Sequence, residues 1–512
     1  MAINTRLPYI LLIIFIALHA AVTLGFSLTL RYELKSSGLD GTLFEQLLYN
    51  VIHGQGLVTT LFPPGTPQHW LGVHFSPILY ALVPVYYLFP HMETLLVIHS
   101  IFIALTAWPI FLAAEYMLHS RWQALFAALL YLLNPFVISA AIWDFHEIAF
   151  APFIIAFMLW AIVQKKPVHL VIFSLLLLTI KEHYGLAILG SGLLWAWHWG
   201  DARFGLLLAT FGLAAMAVIL LLIMPHYNIN NTLSWADQSQ TFGINRFGWL
   251  HNPFANDSPI RTVVENGFGY IIAMMIAFCF MPLTAPIWWL PGLADITANI
   301  LSTGDIMRSV YSYHSAALQP VFIIASIIAI ATYFKSENMH RLVFLAMTLA
   351  SLAMSYKFVV DANNWERSSP RLTLSQDDQH ALQSINRIIP ENAAVSGQFN
   401  VLPHVKMREQ LYLFPNIANA DYIVLHTAFL FHKPEEVFDL PYGMPPKDYF
   451  NTVKIIFADQ QWHVLFYENN WVVFAKLSPE DADARSQAIQ ALSAAETHYN
   501  DLLISQLSHQ PR

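Results

Sequence analysis

Charge is scarce in this 512-residue chain: Asp, Glu, Lys and Arg together make up 11% of it, against roughly 25% in soluble domains. The scarcity is patterned, because residues 7–30, 94–114, 122–143, 203–236 and 266–294 hold hardly any of the four. A helix needs about 20 apolar residues to cross the ~30 Å hydrocarbon core of a bilayer. A soluble fold is thereby excluded, and the chain reads as an α-helical polytopic membrane protein. Cysteine is nearly absent as well. Cys279 stands alone inside an apolar run, so no internal disulfide can form and the redox compartment goes unread. There is no basic stripe and the net charge is −8, which argues against nucleic acid as a partner. No internal repeat stands out, unlike in many transporters.

What the chain has in quantity is apolar and aromatic side chains, the latter at 14%. About eleven spans are expected, near residues 8–30, 94–117, 122–140, 147–163, 168–180, 185–200, 204–225, 267–283, 286–303, 315–334 and 342–359. The first run is longer than the apolar core of a typical signal peptide and lacks a clear small-residue cleavage site, so it reads as an uncleaved span. Arg6, Arg121, Lys165 with Lys166, Arg203, and Lys335 with Arg341 lie in loops that alternate with loops poorer in basic residues. The positive-inside rule assigns the basic loops to the cytoplasm.

That orientation makes residues 31–93 a long external loop. Within it, 42–53 reads as an amphipathic helix and 77–89 as an apolar helix too short to span comfortably, both expected in the interface. A second external loop, 227–265, carries two glycosylation sequons, Asn230-Asn231-Thr232 and Asn256-Asp257-Ser258, a pattern frequent by chance. After residue 359 charges return and no run is long enough to span. A helix near 374–387 precedes strand-like runs at 393–396, 410–413 and 422–425, then a hairpin around Glu468-Asn469-Asn470 and a helical stretch at 479–507. The expected domains are residues 1–359 in the membrane, including the loop 31–93, and an extracytoplasmic α/β domain at 360–512.

Four groups of ionisable residues fall on the external side. Asp40, in Gly38-Leu39-Asp40-Gly41-Thr42-Leu43-Phe44-Glu45-Gln46, precedes the amphipathic helix, where a carboxylate can take a proton from an acceptor hydroxyl. Thr42 and Glu45 fit a capping box, which assigns Glu45 to structure. Trp143-Asp144-Phe145-His146-Glu147 crowds two acids and a histidine into one turn. Asp144 and His146 there are candidates for a divalent metal such as Mg or Mn, or for positioning a phosphate-bearing substrate; the structural alternative is an interfacial turn. Lys181-Glu182-His183-Tyr184 offers a cation that either snorkels or stabilises a phosphate leaving group. Arg308-Ser309-Val310-Tyr311-Ser312-Tyr313-His314 offers Arg308 and His314 as phosphate donors. His69 and His74 stand five residues apart, a conceivable but weak metal pair. One cavity lined by acids, histidines and Lys181 would explain all four groups.

These residues carry a resemblance. A multipass body with an acidic residue in its first external loop, a second acidic cluster and a C-terminal external domain resembles the GT-C superfamily of integral membrane glycosyltransferases. The run Asp40–Gln46, His74-Phe75-Ser76-Pro77, Asp144-Phe145-His146, Lys181-Glu182 and Pro403-His404 with Arg408 to Pro415 resemble a family of uncharacterised, predicted multipass membrane proteins grouped with it. The resemblance implies a polyprenyl-phosphate sugar as donor, inversion at the anomeric carbon, and transfer on the non-cytoplasmic face of the inner membrane to an acceptor it does not name. It makes Asp40 the catalytic base and Asp144 with Glu147 the second acidic site. His74, His146, Lys181, Glu182, Arg308, Tyr313 and His314 become substrate-binding candidates. Gly41 follows Asp40 where several GT-C branches carry an acidic pair, which leaves metal use open. A transporter or lipid flippase is the competing class, and a membrane-anchored scaffold a third.

Overall fold

A computed structural model describes residues 6–34, 36, 38–62, 65–228, 261, 265, 267–302, 305–310, 312–360, 374–427, 444–476 and 478–509. Nearly all of the loop at 227–265, with both sequons, lies outside the described residues, as does Tyr311. The chain divides into two compact units. One comprises Met1–Ser27, Trp70–Leu82 and Leu96–Asp361; the other comprises Leu28–His69, Val83–Leu95 and Ala362–Arg512.

The first unit is helical. Among the described residues, Leu7–Tyr32, Met92–Leu118, Ala202–Tyr227, Ala316–Tyr333 and Glu337–Lys357 are long and apolar enough to cross a membrane. A sixth crossing is available if Arg121–Leu132 and Pro135–Ala141, bent by 59°, act as one. The bend has a local cause: the Asn134 side chain accepts the Phe136 N–H at 3.0 Å, and Pro135 opens the next helix where its missing N–H costs nothing. Glu147–Val163 and Pro167–Leu178 are apolar but shorter. The run expected as one span at 286–303 is broken: a 3₁₀ segment Pro286–Gly292, with Pro291 inside it, leads into the helix Leu293–Leu301. Gln319–Tyr333 is buried on nearly every side. Leu7–Tyr32 and Glu337–Val360 instead leave many apolar side chains exposed, as suits helices whose outer solvent is lipid.

Gly185–Trp199 and Ala202–Val218 pack back to back. A Cβ on Gly192 would lie 2.5 Å from the Gly205 carbonyl oxygen, and one on Gly205 would lie 2.5 Å from that of Gly192. Small residues permit such close approach between membrane helices. Gly200, at φ +67°, turns the chain between them, and Asp201 caps the second helix by accepting the Phe204 N–H at 3.2 Å. The hairpin anchors the short turn Glu182–Tyr184, which runs directly into Gly185.

The second unit holds a mixed sheet. Strands β1 (Val58–Thr59) and β2 (Gln68–His69) pair with each other. Strands β3 (Val395–Gly397), β4 (Leu411–Leu413), β5 (Tyr422–His426), β6 (Trp462–Glu468) and β7 (Trp471–Lys476) follow the order β4-β3-β5-β7-β6. β3 is parallel to both β4 and β5, while β5–β7 and β7–β6 are antiparallel. Asn469 and Asn470, at φ 46° and 67°, make the β6–β7 turn, the left-handed pair that a tight hairpin requires. The helix Gln376–Ile388 begins with a capping box between Ser375 and Asp378. Ile423, Leu425, Val472 and Phe474 of the sheet pack with Tyr449, Phe450 and Val453 of Pro446–Ala458 and with Ala488 and Leu492 of Ala482–His509.

The first loop belongs to this unit as far as His69 and again from Val83. Gln46 Nε2 donates to the Glu409 carbonyl at 3.0 Å. The Thr60 hydroxyl donates to the Leu411 carbonyl at 2.6 Å and accepts the Leu411 N–H at 3.0 Å. The helix Gly41–Ile52, expected near residues 42–53, buries Leu43, Phe44, Leu47 and Leu48.

Candidate active site

In the helical unit, two buried carboxylates tie three of the sequence motifs together. Glu147 opens the 3₁₀ turn Glu147–Phe150 ahead of Ala151–Val163 and is fully buried. Its Oε1 lies 3.5 Å from Lys181 Nζ and accepts the Ser76 hydroxyl at 3.4 Å, while its Oε2 lies 2.8 Å from His146 Nδ1. Glu182 is held alike: its Oε1 lies 3.0 Å from His74 Nδ1, and its Oε2 accepts the Phe75 N–H at 3.0 Å. Burial alone would raise the Glu182 carboxyl, but the His74 ring and the Lys181 charge overcome it and hold the group well below the usual carboxylate range. Burial and then Lys181 push the His74 ring down.

An aromatic wall stands beside these pairs. The Tyr313 ring lies 4.3 Å from that of His146, 4.1 Å from His314 and 5.5 Å from Trp143. The Ser312 hydroxyl pairs with His314 Nδ1. Burial, then His146 and Lys181, push the His314 ring well below its ordinary value. Asp144 is buried in the same turn as His146.

Arg308 has structural work. Its guanidinium donates to the Asn299 and Ser302 carbonyls at 3.0 and 2.5 Å and to Asp305 at 2.7 Å. It thereby serves the carbonyls that the end of Leu293–Leu301 leaves without helical partners. Among the described residues, no three His, Cys, Asp or Glu side chains converge as a metal ion would require, and His146 Nδ1 already faces Glu147.

One residue of this neighbourhood escaped the motif reading. Asp295, buried in the first turn of Leu293–Leu301, accepts the Tyr184 hydroxyl at 3.4 Å, and its Oδ1 lies 3.6 Å from His183 Nε2. The available signal was its position, since an acid inside an apolar run is costly to keep without a use.

Asp40 lies in the other unit, half-buried, at the N-cap of Gly41–Ile52, where its side chain makes no capping hydrogen bond. The capping box expected at Thr42 and Glu45 does not form. The helix already begins at Gly41, the Thr42 hydroxyl has no hydrogen-bond partner among the described residues, and Glu45 Oε1 accepts the Tyr86 hydroxyl at 3.4 Å instead. Burial pushes the Glu45 carboxyl from its ordinary 4.5 up to about 7, against the pull of Arg31. A carboxyl raised by folding binds its proton more tightly in the folded chain. Its contribution is therefore complete below the unfolded value and is lost as pH rises from about 4.5 to about 7. Glu45→Gln should escape this loss. Relative to the parent, it should gain of the order of 3 kcal/mol in thermal-unfolding stability between acid and alkaline pH. An equal gap at both ends of the range would mean that Glu45 folds as the anion.

The fold is that of a mostly helical multipass membrane protein with a C-terminal β-sheet domain. Among solved structures the chain is similar to ArnT from Cupriavidus metallidurans. The apo structure and the one bound to undecaprenyl phosphate each match with a TM-score of 0.54 at 12% identity, covering 91% of this chain and 99% and 98% of theirs. No curated protein matches. The chain belongs to the family of predicted membrane proteins described as DUF2079, whose model matches residues 30–440.

Proposed function

We propose that the chain transfers a sugar from a polyprenyl-phosphate donor to an acceptor hydroxyl on the non-cytoplasmic face of the inner membrane. The observation that carries this reading is Lys181 Nζ 3.5 Å from the buried Glu147 carboxylate, which also faces His146, with the buried His74–Glu182 pair in the same unit, on a fold similar to that of ArnT. The acceptor oxygen bonds to the anomeric carbon as the bond from that carbon to the phosphate oxygen breaks, with inversion. The electron pair leaves with the lipid phosphate, and the acceptor proton passes to the Asp40 carboxylate. Lys181 faces the charge that grows on the phosphate, while Glu147 fixes Lys181 and His146 and Glu182 fixes His74. Tyr313 and His314 wall the pocket, and Asp144 positions the acceptor.

The test uses the full-length chain in nanodiscs with undecaprenyl-phosphate-linked pentoses and hexoses and an envelope-glycan acceptor fraction, reading undecaprenyl phosphate released by mass spectrometry. Acceptor-dependent release from at least one donor is expected. A transporter or lipid flippase is the second reading, favoured by the buried Asp295 in a broken apolar run. It predicts no release from any donor together with ion-coupled movement of a lipid or solute across vesicles.

A further inference from the structure

Two polar atoms beside the Lys181 cluster lack a hydrogen-bond partner among the described residues. They are Asp295 Oδ2 and His183 Nε2, both buried. A buried carboxylate oxygen left without a donor is destabilising, and an acid in an apolar segment is a poor choice for packing alone. Asp295 Oδ1, by contrast, is engaged: it accepts the Tyr184 hydroxyl at 3.4 Å and faces His183 at 3.6 Å. The polar end of this group is thus half satisfied and half open. The His183 side chain keeps 23% of its surface exposed, so the group has a way in.

We infer that Asp295, His183 and Tyr184 form the subsite that takes the hydroxyl groups of the donor's sugar. The inference rests on the glycosyltransferase reading and adds the recognition of the transferred group. Asp295 Oδ2 is an acceptor only and calls for a hydroxyl hydrogen. His183 Nε2 accommodates a neighbouring hydroxyl in either sense, and the Tyr184 oxygen keeps lone pairs after donating to Asp295. Adjacent hydroxyls that both donate and accept are the chemistry of an unmodified sugar ring; an acylated or deoxygenated ring would leave the same atoms bare. The donor is favoured over the acceptor by chain position. Lys181, the cation proposed for the phosphate, is two residues from His183 in one turn, and the donor sugar is one bond from that phosphate.

The experiment measures binding to the full-length chain in nanodiscs. The probes are undecaprenyl phosphate alone and undecaprenyl phosphate bearing glucose, mannose, galactose or arabinose. The parent should bind at least one sugar-bearing lipid more tightly than the bare lipid. Asp295→Asn should remove that preference, a loss of roughly 10- to 100-fold, while bare-lipid affinity stays within about twofold. His183→Gln should weaken the same preference and decides the matter if Asp295→Asn does not fold. Variants that keep the preference, or that weaken both lipids equally, overturn the assignment. A parent that binds bare lipid without any sugar preference removes the subsite and leaves the lipid reading standing. A parent that binds neither removes both.

Discussion

Asp40→Asn should lower sugar transfer by roughly 10²- to 10⁴-fold, the usual contribution of a positioned general base, and leave the fold untouched. The expectation of an intact fold comes from the helix start. The Phe44 N–H bonds to the Asp40 carbonyl at 3.2 Å, a backbone contact that Asn preserves, and the Asp40 side chain supplies no cap to lose. Asn matches the carboxylate in size and cannot take a proton at neutral pH. Donor affinity should therefore stay near that of the parent, so that the loss falls on turnover. Release of undecaprenyl phosphate at saturating donor, compared with the unfolding temperature of both forms, checks the two halves together. Undiminished turnover would pass the base to another carboxylate.

The second large effect concerns Lys181 and Glu147. Glu147 is wholly buried with its Oε1 3.5 Å from Lys181 Nζ. Removing one member of such a pair strands the other's charge, at a cost of about 3–5 kcal/mol, whereas removing both is far less harmful. Lys181→Met should thus lower the unfolding temperature sharply, and Lys181→Met combined with Glu147→Gln should recover most of the loss. Transfer should not recover, because the cation facing the phosphate is still missing. A double variant that regains both stability and transfer would reduce Lys181 to a packing role.

Much of the architecture was readable because bilayer crossing writes itself into composition. Leu7–Tyr32 and Ala202–Tyr227 are uninterrupted apolar runs, and Asn469-Asn470 announces its hairpin by the backbone angles asparagine tolerates. The misread positions are those where tertiary structure decides. Thr42 and Glu45 have capping-box spacing, yet Glu45 turns to Tyr86, 41 residues away. Lys181 and Glu182 were visible as a motif, and so was His74. That His74 and Glu182 pair across 108 residues was not visible. The carbonyls that Arg308 serves carry no mark in the sequence. Asp295 was hidden for the opposite reason: a single acid hardly dents the hydropathy of its run, and its partner Tyr184 is 111 residues upstream.

The contact between Thr60 and Leu411 spans 351 residues of chain. The ribosome delivers Thr60 long before Leu411, so the Asp40 segment emerges without the strand that will hold it. Every intervening hydrophobic helix has to be threaded into the bilayer first. Assembly of this lobe is consequently a late event in biogenesis, and a chain cut short before β4 would reach the membrane with its first loop unmoored.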